Sequence, residues 1–119
     1  MAISSVANKA ELVEVNKAVA TDWFSANLVP NAAQQPGEMI KFMLQVHVNT
    51  TTVVNIHMDF GATEVIVGMN GGTAIPADVL YQQEIMIPNS CTGFNIRHVT
   101  ATQDVSVWVG ETRTFDSIL

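Results

Sequence analysis

The sequence is short of charge. Asp, Glu, Lys and Arg make up 13% of its 119 residues, about half the share of an ordinary soluble domain. Cysteine is nearly absent: Cys91 stands alone, so no intramolecular disulfide forms. With no base beside it, Cys91 reads as a small buried apolar residue. Basic clusters are missing as well. Lys9, Lys17, Lys41, Arg97 and Arg113 are scattered, whereas sequence-independent nucleic-acid binding neutralises several phosphates together. The expected partners therefore include no nucleic acid. No run approaches the roughly 18 apolar residues of a membrane-spanning helix, so no membrane partner is expected. Met1 to Val6 has neither a basic start nor an apolar stretch, and no signal peptide is predicted. Glycine is not arranged for catalysis: there is no Gly-x-Ser-x-Gly elbow and no glycine loop leading to a lysine.

What the chain does have is hydrophobic side chains, 48% of the total, alongside a net charge of −6. One domain of this length buries roughly two-thirds of its unfolded surface. A body with so few charges is expected to cover part of the remainder in an oligomer or on a partner.

The dominant period is two, the signature of half-buried strands. Ile40, Phe42, Leu44, Val46 and Val48 alternate with Lys41, Met43, Gln45 and His47. Thr52 to Asp59 puts Val54, Ile56 and Met58 on one face, and Gly61 then marks a hairpin. Thr63 to Met69 carries Val65 and Val67 in alternation and stops at Asn70-Gly71-Gly72, residues suited to positive φ. Further strands are predicted over Val79–Ile87, Thr92–Thr100 and Val105–Val109. In the last, the valines share one face and Ser106 and Trp108 take the other. The predicted core includes Phe42, Leu44, Val46, Val54, Ile56, Val65, Val67, Ile96, Val107 and Val109.

Over Ala10 to Ala20, Val13, Val15 and Val19 favour strand over a short helix. Pro30 to Gly37 reads as a loop bounded by prolines. No βαβ alternation is visible. The reading is an all-β chain, an antiparallel β-sandwich of jelly-roll type with terminal arms. Residues 1-9 are assigned to an N-terminal arm, 10-110 to the sandwich and 111-119 to a C-terminal tail. The ends carry Ile3, Val6, Phe115, Ile118 and Leu119. Together with Trp108, these are the candidate interface residues.

Candidate chemistry is thin. His47, His57 and His98 fall on three different predicted strands. His57 and Asp59 share a strand face, and His47 would sit opposite if their strands paired. A solvated polar face explains them better than the converging ligands of a metal site. No nucleophile, base and orienting acid stand out. The sequence thus points to no catalytic residue, no metal and no cofactor. Trp108, turned away from the valine stripe, suits either a protein contact or stacking on a sugar ring.

One resemblance spans about half the chain. Val54-Asn55-Ile56-His57-Met58-Asp59-Phe60-Gly61, Met69-Asn70-Gly71-Gly72-Thr73-Ala74-Ile75-Pro76-Ala77, Leu80-Tyr81, Ile85-Met86-Ile87-Pro88, Phe94-Asn95-Ile96-Arg97 and Val105-Ser106-Val107-Trp108-Val109 resemble small virion proteins of tailed bacteriophages. The resemblance implies a capsid decoration or cement protein, made in the host cytoplasm and seated on the virion surface. Its implied partners are the major capsid protein and further copies of itself, commonly as a homotrimer. A tail-fibre module that binds a receptor or glycan is the alternative.

Overall fold

The computed structural model describes the backbone of residues 2–28, 38–87 and 90–116, and the side chains of 12–28, 41–87 and 90–110. These residues form seven strands: β1 (Ala2–Lys17), β2 (Glu38–Val48), β3 (Val54–Phe60), β4 (Thr63–Gly68), β5 (Tyr81–Met86), β6 (Gly93–His98) and β7 (Gln103–Asp116). One sheet has the order β1-β7-β2-β5 and the other β4-β3-β6. All the pairings are antiparallel. The chain is the expected all-β sandwich.

An eighth, irregular segment completes the smaller sheet. Ala20, Trp23 and Leu28 donate backbone N–H groups to the carbonyls of His98, Ile96 and Phe94, and Phe94 N–H returns a bond to Leu28. This strap lies along the free edge of β6. Counting it, each sheet has four members, and their order is that of a jelly roll.

Alternation decides what fills the space between the sheets. Phe42, Leu44, Val46 and Val48 of β2 and Val105, Val107 and Val109 of β7 are buried, as are Val54, Ile56 and Met58 of β3 and Phe94 and Ile96 of β6. Cys91 is buried too, and burial pushes its thiol pKa up. The Asn70-Gly71-Gly72 turn has the positive φ values expected of it, 55°, 62° and 82°.

One expectation changes. Val65 and Val67 lie on the inward face of β4, opposite Met58 and Ile56, yet they are 43% and 37% exposed. β4 is an edge strand at a corner of the sandwich, where the twist of two packed sheets carries them apart. Over the described residues the terminal segments run beside one another in the larger sheet. Ala2 to Val6 pairs with Asp116 to Thr112, and Glu38 to Lys41 flanks the same stretch of β7. Polar residues dominate 110–114, so the pairing leaves no hydrophobic period to read. This extension accompanies a long axis of 51 Å, against 31 and 23 Å.

His98 is a buried polar residue with both ring nitrogens engaged. Trp23 Nε1 donates to Nδ1 at 2.9 Å, so the ring's own proton sits on Nε2, facing the Ala101 carbonyl at 2.9 Å. Burial, above all, lowers its pKa from 6.5; the Ala101 bond opposes this, and Lys17 contributes to the lowering. The folded state thus binds this proton more weakly than the unfolded chain. Stability from this site is full above pH 6.5 and is lost as pH falls through the folded pKa. Urea unfolding across that range is expected to show the loss, and a His98→Gln variant is expected to flatten it.

Candidate docking face

The outer face of the four-stranded sheet carries large apolar side chains on solvent. Trp108 lies near its middle, in register with Glu11 of β1 and Gln45 of β2. Its position follows from the period of β7: Val107 and Val109 turn inward, so the residue between them turns out. Trp108 is 37% exposed. Val13 and Val15 of β1 and Met86 of β5 are also exposed.

Polar groups frame this surface. Gln45 Nε2 donates to Gln82 Oε1 at 2.8 Å. Lys41 pairs with Glu84 at 3.4 Å, and His47 meets Asp78 at 3.5 Å. Beside the indole lies Gly110, opposite Met43 on one neighbour and Lys9 on the other. A Cβ placed on Gly110 would touch nothing within 4 Å. The missing side chain leaves the surface beside Trp108 open to the approach of a partner.

The histidines do not assemble a metal site. His47 and His57 belong to different sheets, because β2 and β3 do not pair. His57 Nδ1 instead meets Glu64 Oε1 at 3.2 Å, and Asp59 Oδ2 accepts from Asn27 Nδ2 at 3.0 Å. Among the described residues, no three His, Cys, Asp or Glu side chains gather as metal ligands would. Of the other interface candidates, Ile3 and Phe115 are cross-strand partners and Val6 pairs with Thr112. Ile118 and Leu119 lie outside the described residues.

Sequence reasoning missed two contributors here. Gly110 read as the last residue of the sandwich, and Gln45 as ordinary strand alternation. The two-residue offset of Gly110 from Trp108 was the available signal that the two share a face.

No protein-family model matches the chain, and no curated protein matches it. Among solved structures it is similar to a chain of the Bacillus endospore appendages, described as a family of disulfide-linked pili. The TM-score there is 0.49 at 17% identity, covering 98% of this chain and 89% of that one. It is also similar to a chain of infectious bursal disease virus, Gx strain, with TM-score 0.47, 13% identity and 99% coverage. The Gt strain of that virus gives TM-score 0.39 at 12% identity. This chain spans about a third of each viral chain, 32% in both.

Proposed function

We propose that this jelly roll is a non-catalytic assembly module of a virus particle, a decoration protein that docks on the major capsid lattice through the Trp108 face. The observation that carries the reading is that face itself. A half-exposed tryptophan next to the open position at Gly110 lies on a sheet face that also exposes Val13, Val15 and Met86, in a chain with only 13% charged residues. Buried tryptophans are common anchors of protein interfaces, and each square ångström of apolar surface covered is worth roughly 25 cal/mol before association costs. The likeness of Thr52 to Gly110 to small phage virion proteins adds the setting.

The test is binding to heads that lack this protein. Trp108→Ala is expected to weaken docking more than tenfold, while costing the isolated domain only about 1 kcal/mol. Gly110→Leu starts its side chain in open space beside Trp108, so it should keep the fold and lose docking. Unchanged binding by both variants would remove this face from the function. The Gln45–Gln82 amide pair beside the indole favours one competing reading, a glycan-binding module of a tail fibre. Glycan-array binding that Trp108→Ala abolishes, with head binding absent, would establish that reading instead.

A further inference from the structure

The four sheet edges are not equally protected. The β6 edge is covered by the strap of residues 20–28. The β1 ladder has register shifts at Val6/Lys9 and Glu14/Lys17, irregularities that spoil an edge as a template. β5 carries Glu84 and is followed by Pro88. β4 is guarded least: its one charge, Glu64, is already engaged by His57 of its own chain. It pairs with β3 without a shift from Thr63 to Gly68, contains no proline or lysine, and bears apolar side chains on both faces. Ile66 on the outer face is 56% exposed, with Val65 and Val67 uncovered on the inner one.

The geometry points to a second copy of this chain as the occupant: β4 pairs antiparallel with β4 of its twin about a two-fold axis, extending the smaller sheet across two molecules. The strand is complementary to itself in one register. Partners across an antiparallel pair share a face, so Ile66 would oppose Ile66, Val65 would oppose Val67, and Glu64 would oppose Gly68. The strand's single charge thus meets a glycine, and His57 of its own chain already engages it. The two Glu64 carboxylates would stand about four residues apart along the strands, roughly 14 Å, beyond the screening length of about 8–10 Å in ordinary salt. The same edge placed against β5 would bring Glu64 beside a strand that carries Glu84. An interface built on one short strand is small, so the dimer belongs to the weak, concentration-dependent class.

This pairing uses a different surface from the Trp108 face and stands whether or not capsid docking is correct. Sedimentation velocity of the full chain over a concentration series is expected to show a monomer–dimer equilibrium. Ile66→Lys sets two like charges against each other at the axis. It should weaken association at least tenfold while leaving the melting temperature nearly unchanged, and Trp108→Ala should leave association intact. Ile66→Cys should form a disulfide-linked dimer on mild oxidation, because its self-opposed Cβ atoms approach to about 4.5–5.5 Å. Val65→Cys should not, because its twin lies diagonally, about 7–8 Å away. Cys91 is buried and does not compete. A wild-type protein that stays monomeric at its solubility limit, a trimer or open polymer, association untouched by Ile66→Lys, or cross-linking at 65 rather than 66 would each overturn the proposal.

Discussion

Replacing Phe42 with alanine is expected to lower the unfolding free energy by about 3–5 kcal/mol, the transfer energy of the ring plus the cavity it leaves. Phe42 sits on β2, an inner strand of its sheet, between β7 and β5. Its ring meets that of Phe94 from β6 edge-on, with centroids 4.8 Å apart and planes at 71°. This contact joins the two sheets, so the void would open in the middle of the core rather than at a rim. A domain of this size holds a total of roughly 5–15 kcal/mol, and urea midpoints would show a loss of a large share of it. The pair also makes a coupled prediction. Phe42→Ala with Phe94→Ala should cost less than the two single losses together, by about 0.5–1.5 kcal/mol. Additive losses would mean the rings do not support one another.

Asn95→Asp is expected to cost about 3–5 kcal/mol at neutral pH, the range for a buried charge left uncompensated. Asn95 is nearly fully buried, although it lies on the outward side of β6. Its Oδ1 accepts the N–H groups of Phe24 and Ile96 at 3.0 and 2.9 Å. Its Nδ2 donates to the Phe24 carbonyl and to Asn27 Oδ1, both at 3.0 Å. The amide thus sews the strap to the sheet. A carboxylate keeps the shape but cannot donate, and it would face two oxygens. Protonation would restore one donor, so the folded state would raise the pKa of the introduced carboxyl. The stability recovered is present below the unfolded pKa, about 3.9, and is lost as pH rises through the raised folded value. Unfolding both proteins in urea at neutral and mildly acid pH therefore tests the claim. The deficit of the variant should shrink on acidification, measured against a wild type that is itself losing stability through His98. A deficit that stays constant would show that donation by the amide is not what holds the strap.

Much of this architecture was written in period two. β2, β3 and the core half of β7 announce their inward faces through Phe42, Leu44 and Val46, Val54 and Ile56, and Val107 and Val109. Trp108 was placed outside by the same rule. The rule reports which side chains share a face, but not whether anything lies over that face. Val65 and Val67 therefore read as core when they stand at an open corner. The burial of Asn95 carried no signal for the converse reason: its partners Phe24 and Asn27 come some 70 positions earlier in an irregular segment with no period. The β1–β7 pairing near the ends was equally silent, since backbone ladders do not require apolar alternation. Of the candidate site, the tryptophan was legible and the open position at Gly110 beside it was not, because that depends on neighbours on three strands.

The pairing of β1 with β7 also dictates an order of events during synthesis. Ala2 leaves the ribosome well before its partner Asp116. At about 5–20 residues per second, β1 waits on the order of 5–20 seconds with one edge of the future sheet unoccupied. β2 waits as well, since β7 separates it from β1. The smaller sheet, with its β3–β4 hairpin and β6 close in sequence, can close first. The larger sheet then forms by insertion of β7 between two strands already present, so β7 is the strand that locks the sandwich. A chain stalled before β7 would leave β1 without its partner and one edge of β2 open, since β2 keeps only β5 beside it.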